Sequence, residues 1–254
     1  MNRIDLALQN FEQYVKNYDV DNENIKRKIF HSYRVMNNCI YIAKSLGLTS
    51  REICLIQFIG LYHDIARFEQ FYRYHTFNDL KSLDHGDFAL EILKKEKFVD
   101  SFASNFEEKQ IIYKAIKNHN KYKIEEELTE KELLYVRIIR DADKLDIMYE
   151  SIEQFFKNED VKMEIENGTI SKIVMNEILD NKTVLRRKEN TLLERMLVYI
   201  AFIFDLNFKY SFDYIEKNKY VEQILNQFDF SKKETQEKIK LIENTVQEFI
   251  LSKV

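Results

Sequence analysis

No proline occurs anywhere in the 254 residues, and glycine occurs only four times. Sheets need frequent tight turns, and tight turns draw on those two residues. A chain nearly without them is left with helices joined by short polar connections, so the expected fold class is all-α. Apolar residues make up 45% of the sequence, enough in a chain of this length to fill a sizeable core, and a single all-helical domain over 1–254 is expected. Apolar periodicity places helices at about 3–17 and 23–46, then from residue 49 or 50, and at about 85–96, 106–119, 129–150, 171–180, 183–206, 210–227 and 231–252. Gly47 reads as a C-cap, and Thr49 or Ser50, Asp84 and Thr129 read as N-caps. The tract "RFEQFYRYHTFNDLKSLD", 67–84, shows no clear period and reads as an ordered loop with one short helical turn. The polar stretch around Gly168 marks a secondary boundary between a core of about 25–150 and an appended C-terminal helical lobe of about 171–254.

Composition also narrows the function. With 39 basic against 43 acidic residues the formal charge is -4, and a chain without basic bias is not expected to hold a nucleic acid stably. Cys39 and Cys54 form no CxxC pair and lie on apolar helical faces, so buried thiols are expected. The start "MNRIDLALQNFEQ" lacks the apolar core and cleavage site of a secretory signal. The longest apolar run, "MLVYIAFIF", falls well short of the ~20 residues of a membrane span. A cytoplasmic protein without membrane attachment is the expectation. "LVYIAFIFDLNF" is apolar on nearly every face and reads as a core helix or a homodimer contact.

Polar residues interrupt the apolar stripes at a few positions. Neighbours on one helical face recur at i+3, i+4 and i+7. His31 heads Val35, Cys39, Ile42 and Leu46; His63 ends Ile53, Ile56, Ile59 and Gly60, with Asp64 beside it. His85 opens Phe88, Ala89 and Ile92; His119 closes Ile112, Ala115 and Ile116; Asp143 interrupts Val136, Ile139 and Ile147. A single inward histidine is ordinarily a core residue satisfied by one hydrogen bond. Four of the five in the chain turned inward near helix ends, together with two carboxylates, are better explained by one shared metal site.

Those ligands are imidazole and carboxylate without thiolate, which suits a catalytic site more than a structural zinc knot. Mn, Fe, Ni, Co, Zn and Mg are all compatible. Six ligands exceed what one tetrahedral ion takes, so two ions sharing a carboxylate are expected, and paired ions serve displacement at phosphorus.

The pattern resembles the HD superfamily of metal-dependent phosphohydrolases, all-helical enzymes with a histidine early in one helix, a His-Asp pair ending a later one, and a distant aspartate. Here these places are taken by His31 in "KIFHSYRV", His63 and Asp64 in "LYHDIARF", and Asp143 in "IIRDADKLDIM". Asp143 is chosen because it precedes the Lys-Leu of the family's setting, with Asp141 as the fallback. Some branches add two histidines, and His85 in "LDHGDFAL" and His119 in "AIKNHN" fit them. The tract "HDIARFEQFYRYHTFNDLKSLDH" is also similar to a bacterial subgroup of predicted hydrolases with an HDIGRF-like signature. The absence of a Gly-Tyr-Pro motif argues against cyclic-di-GMP hydrolysis, and that of a Glu-Asp shortly after the pair argues against guanosine tetraphosphate hydrolysis.

The resemblance implies hydrolysis of a phosphomonoester or phosphodiester, most simply a nucleotide, by a metal-activated water, with His63 and Asp64 at the catalytic centre. His31, His63, Asp64 and Asp143 would hold a first ion, and Asp64 would bridge to a second at His85 and His119. Arg67, one turn past His63, and Lys144, beside Asp143, either clamp the substrate phosphate or pair with nearby carboxylates. The competing reading is a non-catalytic helical module whose metal site is structural or sensory.

Overall fold

The structure of the protein, a computed structural model, describes residues 2–254, and at 154 and 155 the backbone alone. The described residues contain helices and no strand, as a chain without proline and nearly without glycine should. They divide into two compact units, Met1–Asp143 and Lys144–Val254, the division falling inside a long helix upstream of Gly168.

The first unit comprises α1 (Arg3–Val15), α2 (Glu23–Ser45), α3 (Ser50–Tyr62), α4 (Ala66–Tyr74), a 3-10 turn (Asp79–Lys81), α5 (His85–Lys95), α6 (Phe98–Phe102), α7 (Phe106–Asn118) and the start of α8 (Glu130–Glu150). The caps expected from the sequence are present. Gly47 takes a positive φ of 69° after α2, Thr49 and Glu52 close a reciprocal capping box on α3, and Asp84 accepts from the Asp87 amide at the start of α5.

Aromatic packing fixes where α3 ends. Phe11 of α1 sits edge-on to Tyr62 and Phe68 at 5.7 and 5.9 Å, Phe58 stacks on Tyr62 at 4.4 Å, and the Tyr62 hydroxyl donates to the Ala7 carbonyl at 2.8 Å. The turn that follows Tyr62, carrying His63 and Asp64, is thereby held against a rigid wall. On the far side of α7, the buried Glu108 carboxylate accepts from Arg3, Arg51 and Ser104 and ties α1, α3 and α7 together.

The tract 67–84 differs from the expected loop: most of its first half is α4. Its period was concealed because the buried face includes a glutamine. Gln70 is fully buried, accepts from Arg67 and donates to Asp79 and Ser82, so a polar side chain occupies a core position at no hydrogen-bonding loss. The short helix α6 was not expected.

The second unit continues through a π-helical turn (Ser151–Phe155), α9 (Glu159–Glu166), α10 (Lys172–Leu179), α11 (Leu192–Ala201), a 3-10 turn (Phe202–Asp205), α12 (Lys209–Lys217), α13 (Tyr220–Leu225) and α14 (Lys233–Leu251). The helix expected from 183 begins only at Leu192, capped by Thr191, and the one expected over 210–227 is broken where Lys219 adopts φ 51°. In α11 Leu193, Met196, Leu197 and Ile200 are fully buried, which makes it a core helix of its unit. Among the described residues no helix is long and apolar enough to cross a membrane.

Candidate metal centre

The first unit brings together all six side chains that interrupt the apolar stripes. Each is delivered by a helix or a helix end. His31 lies within α2, His63 and Asp64 follow α3, His85 opens α5, His119 follows α7 and Asp143 lies on α8.

Two glycines let the helices approach closely enough. A Cβ on Gly60 of α3 would stand 2.8 Å from the Met36 Cα of α2, and one on Gly86 of α5 would stand 2.9 Å from the Lys117 carbonyl at the end of α7. Neither separation is one a real Cβ tolerates. The first approach sets His31 beside His63, Nε2 to Nε2 at 3.1 Å; the second sets His85 beside His119 at 3.0 Å.

The tautomers follow from the partners of the other ring nitrogen. His63 Nδ1–H donates to the Gly60 carbonyl at 2.7 Å and His119 Nδ1–H to the Ile116 carbonyl at 2.6 Å. In both cases a histidine just past a helix uses a carbonyl that the helix leaves unpaired. Arg140 closes the same end of α7 by donating to the carbonyls of Asn118, His119 and Lys121. His85 stands at a helix start, where no such carbonyl exists, and donates instead to Asp79 Oδ2 at 2.5 Å. With Nδ1 committed, each neutral ring turns its Nε2 lone pair inward.

Two groups of donors result, and Asp64 belongs to both. Its Oδ2 lies 3.4 and 3.8 Å from Nε2 of His31 and His63, which lie 3.2 and 3.5 Å from Asp143 Oδ1. Its Oδ1 lies 3.3 and 3.6 Å from Nε2 of His85 and His119. Ligand atoms around one ion at bonds of about 2.1 Å are separated by about 3.0 to 3.4 Å, so these spacings suit two ions sharing one carboxylate. Asp64 Oδ1 is buried without a hydrogen-bond partner, and lone pairs of His85 and His119 face each other across 3.0 Å. A divalent cation held between them relieves both conditions. The residues present therefore fit divalent metal: His31, His63 and Asp64 form one cluster able to hold an ion, Asp64, His85 and His119 another, and His63, His119 and Asp143 a third that crosses between them.

The electrostatics agree. Burial would raise the Asp64 carboxyl, but Lys28, His63 and Arg67 outweigh it and hold the group well below the usual carboxylate range. Burial lowers His63, and burial together with the Arg67 charge pushes His85 down to about 4, so both are neutral at pH 7, the form that ligates metal.

Residues 29–148 match the family model of the HD domain. This part of the chain is an HD domain. HD domains make up a superfamily of metal-dependent phosphohydrolases, and the buried histidines and carboxylates described above all lie within the matched residues. No curated protein and no solved structure matches the chain.

The remaining sequence-selected residues fall in different places. Arg67 Nη1 donates to Gln70, to the Phe77 carbonyl and to Asp79, while its Nε lies 3.4 Å from Asp64 Oδ1. Lys144 lies in the second unit, where its ammonium pairs with Asp205 at 2.8 Å. Asp141 is fully buried and belongs to none of the clusters of potential ligands among the described residues. Two residues that were not selected as ligands from the sequence stand against the centre, Asp79 within the matched span and Lys28 just before it. Asp79 orients His85, and Lys28 Nζ donates to Asp64 Oδ2 at 2.7 Å. Lys28 precedes His31 by three positions, a spacing that puts two side chains on one helical face, and that signal was available.

Proposed function

We propose that the HD domain hydrolyses a small phosphomonoester or phosphodiester, a nucleotide in the first instance, at a two-ion centre. The observation that carries this reading is the division of Asp64: one carboxylate oxygen faces His31 and His63, the other faces His85 and His119. His31, His63, Asp64 and Asp143 would hold one ion, and Asp64, His85 and His119 the other. Ions bound there would lower the pKa of a water and offset charge on phosphoryl oxygens.

The chain's own residues supply the rest. The histidines and Asp64 are nearly sealed, whereas the side chains of Lys28, Arg67 and Asp143 keep 12%, 12% and 14% of their surface, and substrate would enter past them. Among the described residues Lys28 makes a single hydrogen bond, to Asp64, and an ammonium has three donors. Two donors remain for a phosphoryl oxygen. Phe77, stacked on Phe71, has the cationic groups of Arg27, Lys28 and Arg67 at 5.5, 5.6 and 5.9 Å from its ring centre. An aromatic ring amid positive charge suits a base attached to a phosphate.

The test is metal content and turnover of the full chain beside Asp64→Asn, with helicity measured for both. The expected result is two ions per chain and hydrolysis of a generic phosphodiester or a nucleotide in added Mn, Ni or Fe. In Asp64→Asn both ions should be lost and turnover should fall about 10³-fold. Ions retained without turnover of any ester would favour the structural or sensory reading; no ions at all would make the His-Asp pair an ordinary buried contact.

A further inference from the structure

The histidines of the second group are fixed by different means. His119 leans on a carbonyl of its own helix, a partner present whenever α7 is formed. His85 depends on Asp79, which belongs to the connection between α4 and α5. Asp79 is also the point where that connection is fastened. Its Oδ1 accepts from Arg67 Nη1 at 2.8 Å and Gln70 Nε2 at 2.9 Å, both on α4, while its Oδ2 takes His85. Arg67 donates in addition to the Phe77 carbonyl at 2.7 Å and presents its Nε to Asp64 Oδ1 at 3.4 Å. Residues 76–84 thus form a strap in which the Asp79 carboxylate joins α4, α5 and the ligand His85. Asp79 hydrogen-bonds Arg67, Gln70 and His85, the last of them a ligand of the second group.

We propose that Asp79 is a positioning residue that governs the second ion alone, so that docking of the 76–84 strap and filling of the His85–His119 group are one coupled event. The proposal rests on the metal reading of the centre. Asp79 works through His85: a carboxylate accepting the Nδ1–H holds the ring plane, fixes the tautomer and makes Nε2 a better donor. Coupling is reciprocal, so if the docked strap strengthens the second ion, the ion must stabilise the docked strap to the same degree.

Two measurements on the full chain test this. In the first, Mn is titrated into wild type, Asp79→Asn and His85→Ala, with ions per chain counted by mass spectrometry and helicity followed throughout. An asparagine offers one acceptor oxygen where Asp79 uses two, so it cannot serve Arg67 and His85 together. Wild type should take two ions; Asp79→Asn should keep one at wild-type affinity and bind the second 10- to 100-fold more weakly, approaching His85→Ala. The retained ion reports that the variant is folded. The second measurement needs no change at Asp79: trypsin cleavage after the exposed Lys81 should slow about tenfold when Mn is added to wild type and stay unchanged in His119→Ala. Two ions bound with equal affinity in wild type and Asp79→Asn, or a Lys81 cleavage rate indifferent to Mn in wild type that binds two ions, would overturn the proposal and leave the two-ion reading standing. A wild-type chain that binds no Mn, Ni or Fe would overturn both.

Discussion

Lys28 Nζ donates at 2.7 Å to Asp64, the carboxylate that both groups of donors share. His31, His63, Asp64, His85, His119 and Asp143 were visible because each breaks an apolar stripe, and a stripe is a property of helical spacing alone. The structure draws all six together. Asp79 was not visible in that way, since it acts across a loop and no period connects it with His85. Lys28 lay open to view at three positions before His31 but sits among charged neighbours, "NIKRKIF", that read as a solvated face. Its placement carries a prediction. Lys28→Met keeps the length and apolar packing of the stem while removing the donors. It should raise KM for a phosphate ester about tenfold or more, because one charge-assisted hydrogen bond is worth about 1.5 to 3 kcal/mol, with both ions retained. Unchanged KM with metal content intact would exclude Lys28 from substrate binding.

At the scale of elements, the helices were legible and their crossings were not. Periodicity located α2, α3, α5, α7 and α8 to within a few residues, whereas α4 was hidden by a buried glutamine and α6 is too short to show a period. Nothing in the sequence distinguished Gly60 as a crossing point from an ordinary helical glycine. Gly60→Ala should cost about 1 to 3 kcal/mol, the range for an overpacked contact, even though alanine is the better helix former. Because the obstacle is the backbone of Met36, relief requires α2 and α3 to move apart, and affinity for the His31–His63 ion should fall with stability. Urea unfolding with metal titration checks both; a gain in stability would mean the helices have slack at this point. The Glu108 tie between α1, α3 and α7 makes a pH-dependent prediction. Burial would raise this carboxyl, but hydrogen bonds from Ser104, Arg51 and Arg3 bring it from 4.5 to about 2. Between those values the unfolded chain binds a proton that the folded chain does not, so the contribution is complete above pH 4.5 and disappears as pH falls to about 2. Glu108→Gln should be about 2 kcal/mol less stable at pH 7, and the gap should narrow below pH 4.5. A gap constant down to pH 3 would show that the charge of Glu108 is not what stabilises the tie.

For the whole molecule, the fold class was readable from two absences, of proline and nearly of glycine, while the division into units was not, because it falls inside the continuous α8. A helix that runs through a division leaves no break in composition to find. Metal should raise the melting temperature of the whole chain in a concentration-dependent way. At 100 times the dissociation constant the gain is about 2.7 kcal/mol, or roughly 5 to 10 °C for a chain of this size, and Asp64→Asn should show no shift in differential scanning calorimetry. A shift that persists in that variant would place the responsible ion elsewhere. The centre gathers its side chains from His31 to Asp143, across five helices. At about 5–20 residues per second, a ribosome makes those two ends on the order of 10 s apart. The nascent chain therefore has no complete cage to offer until α8 has been synthesised and has docked. Metal capture would then be the last act in folding of the first unit, and the rate of ion uptake during refolding a clock for completion of that unit.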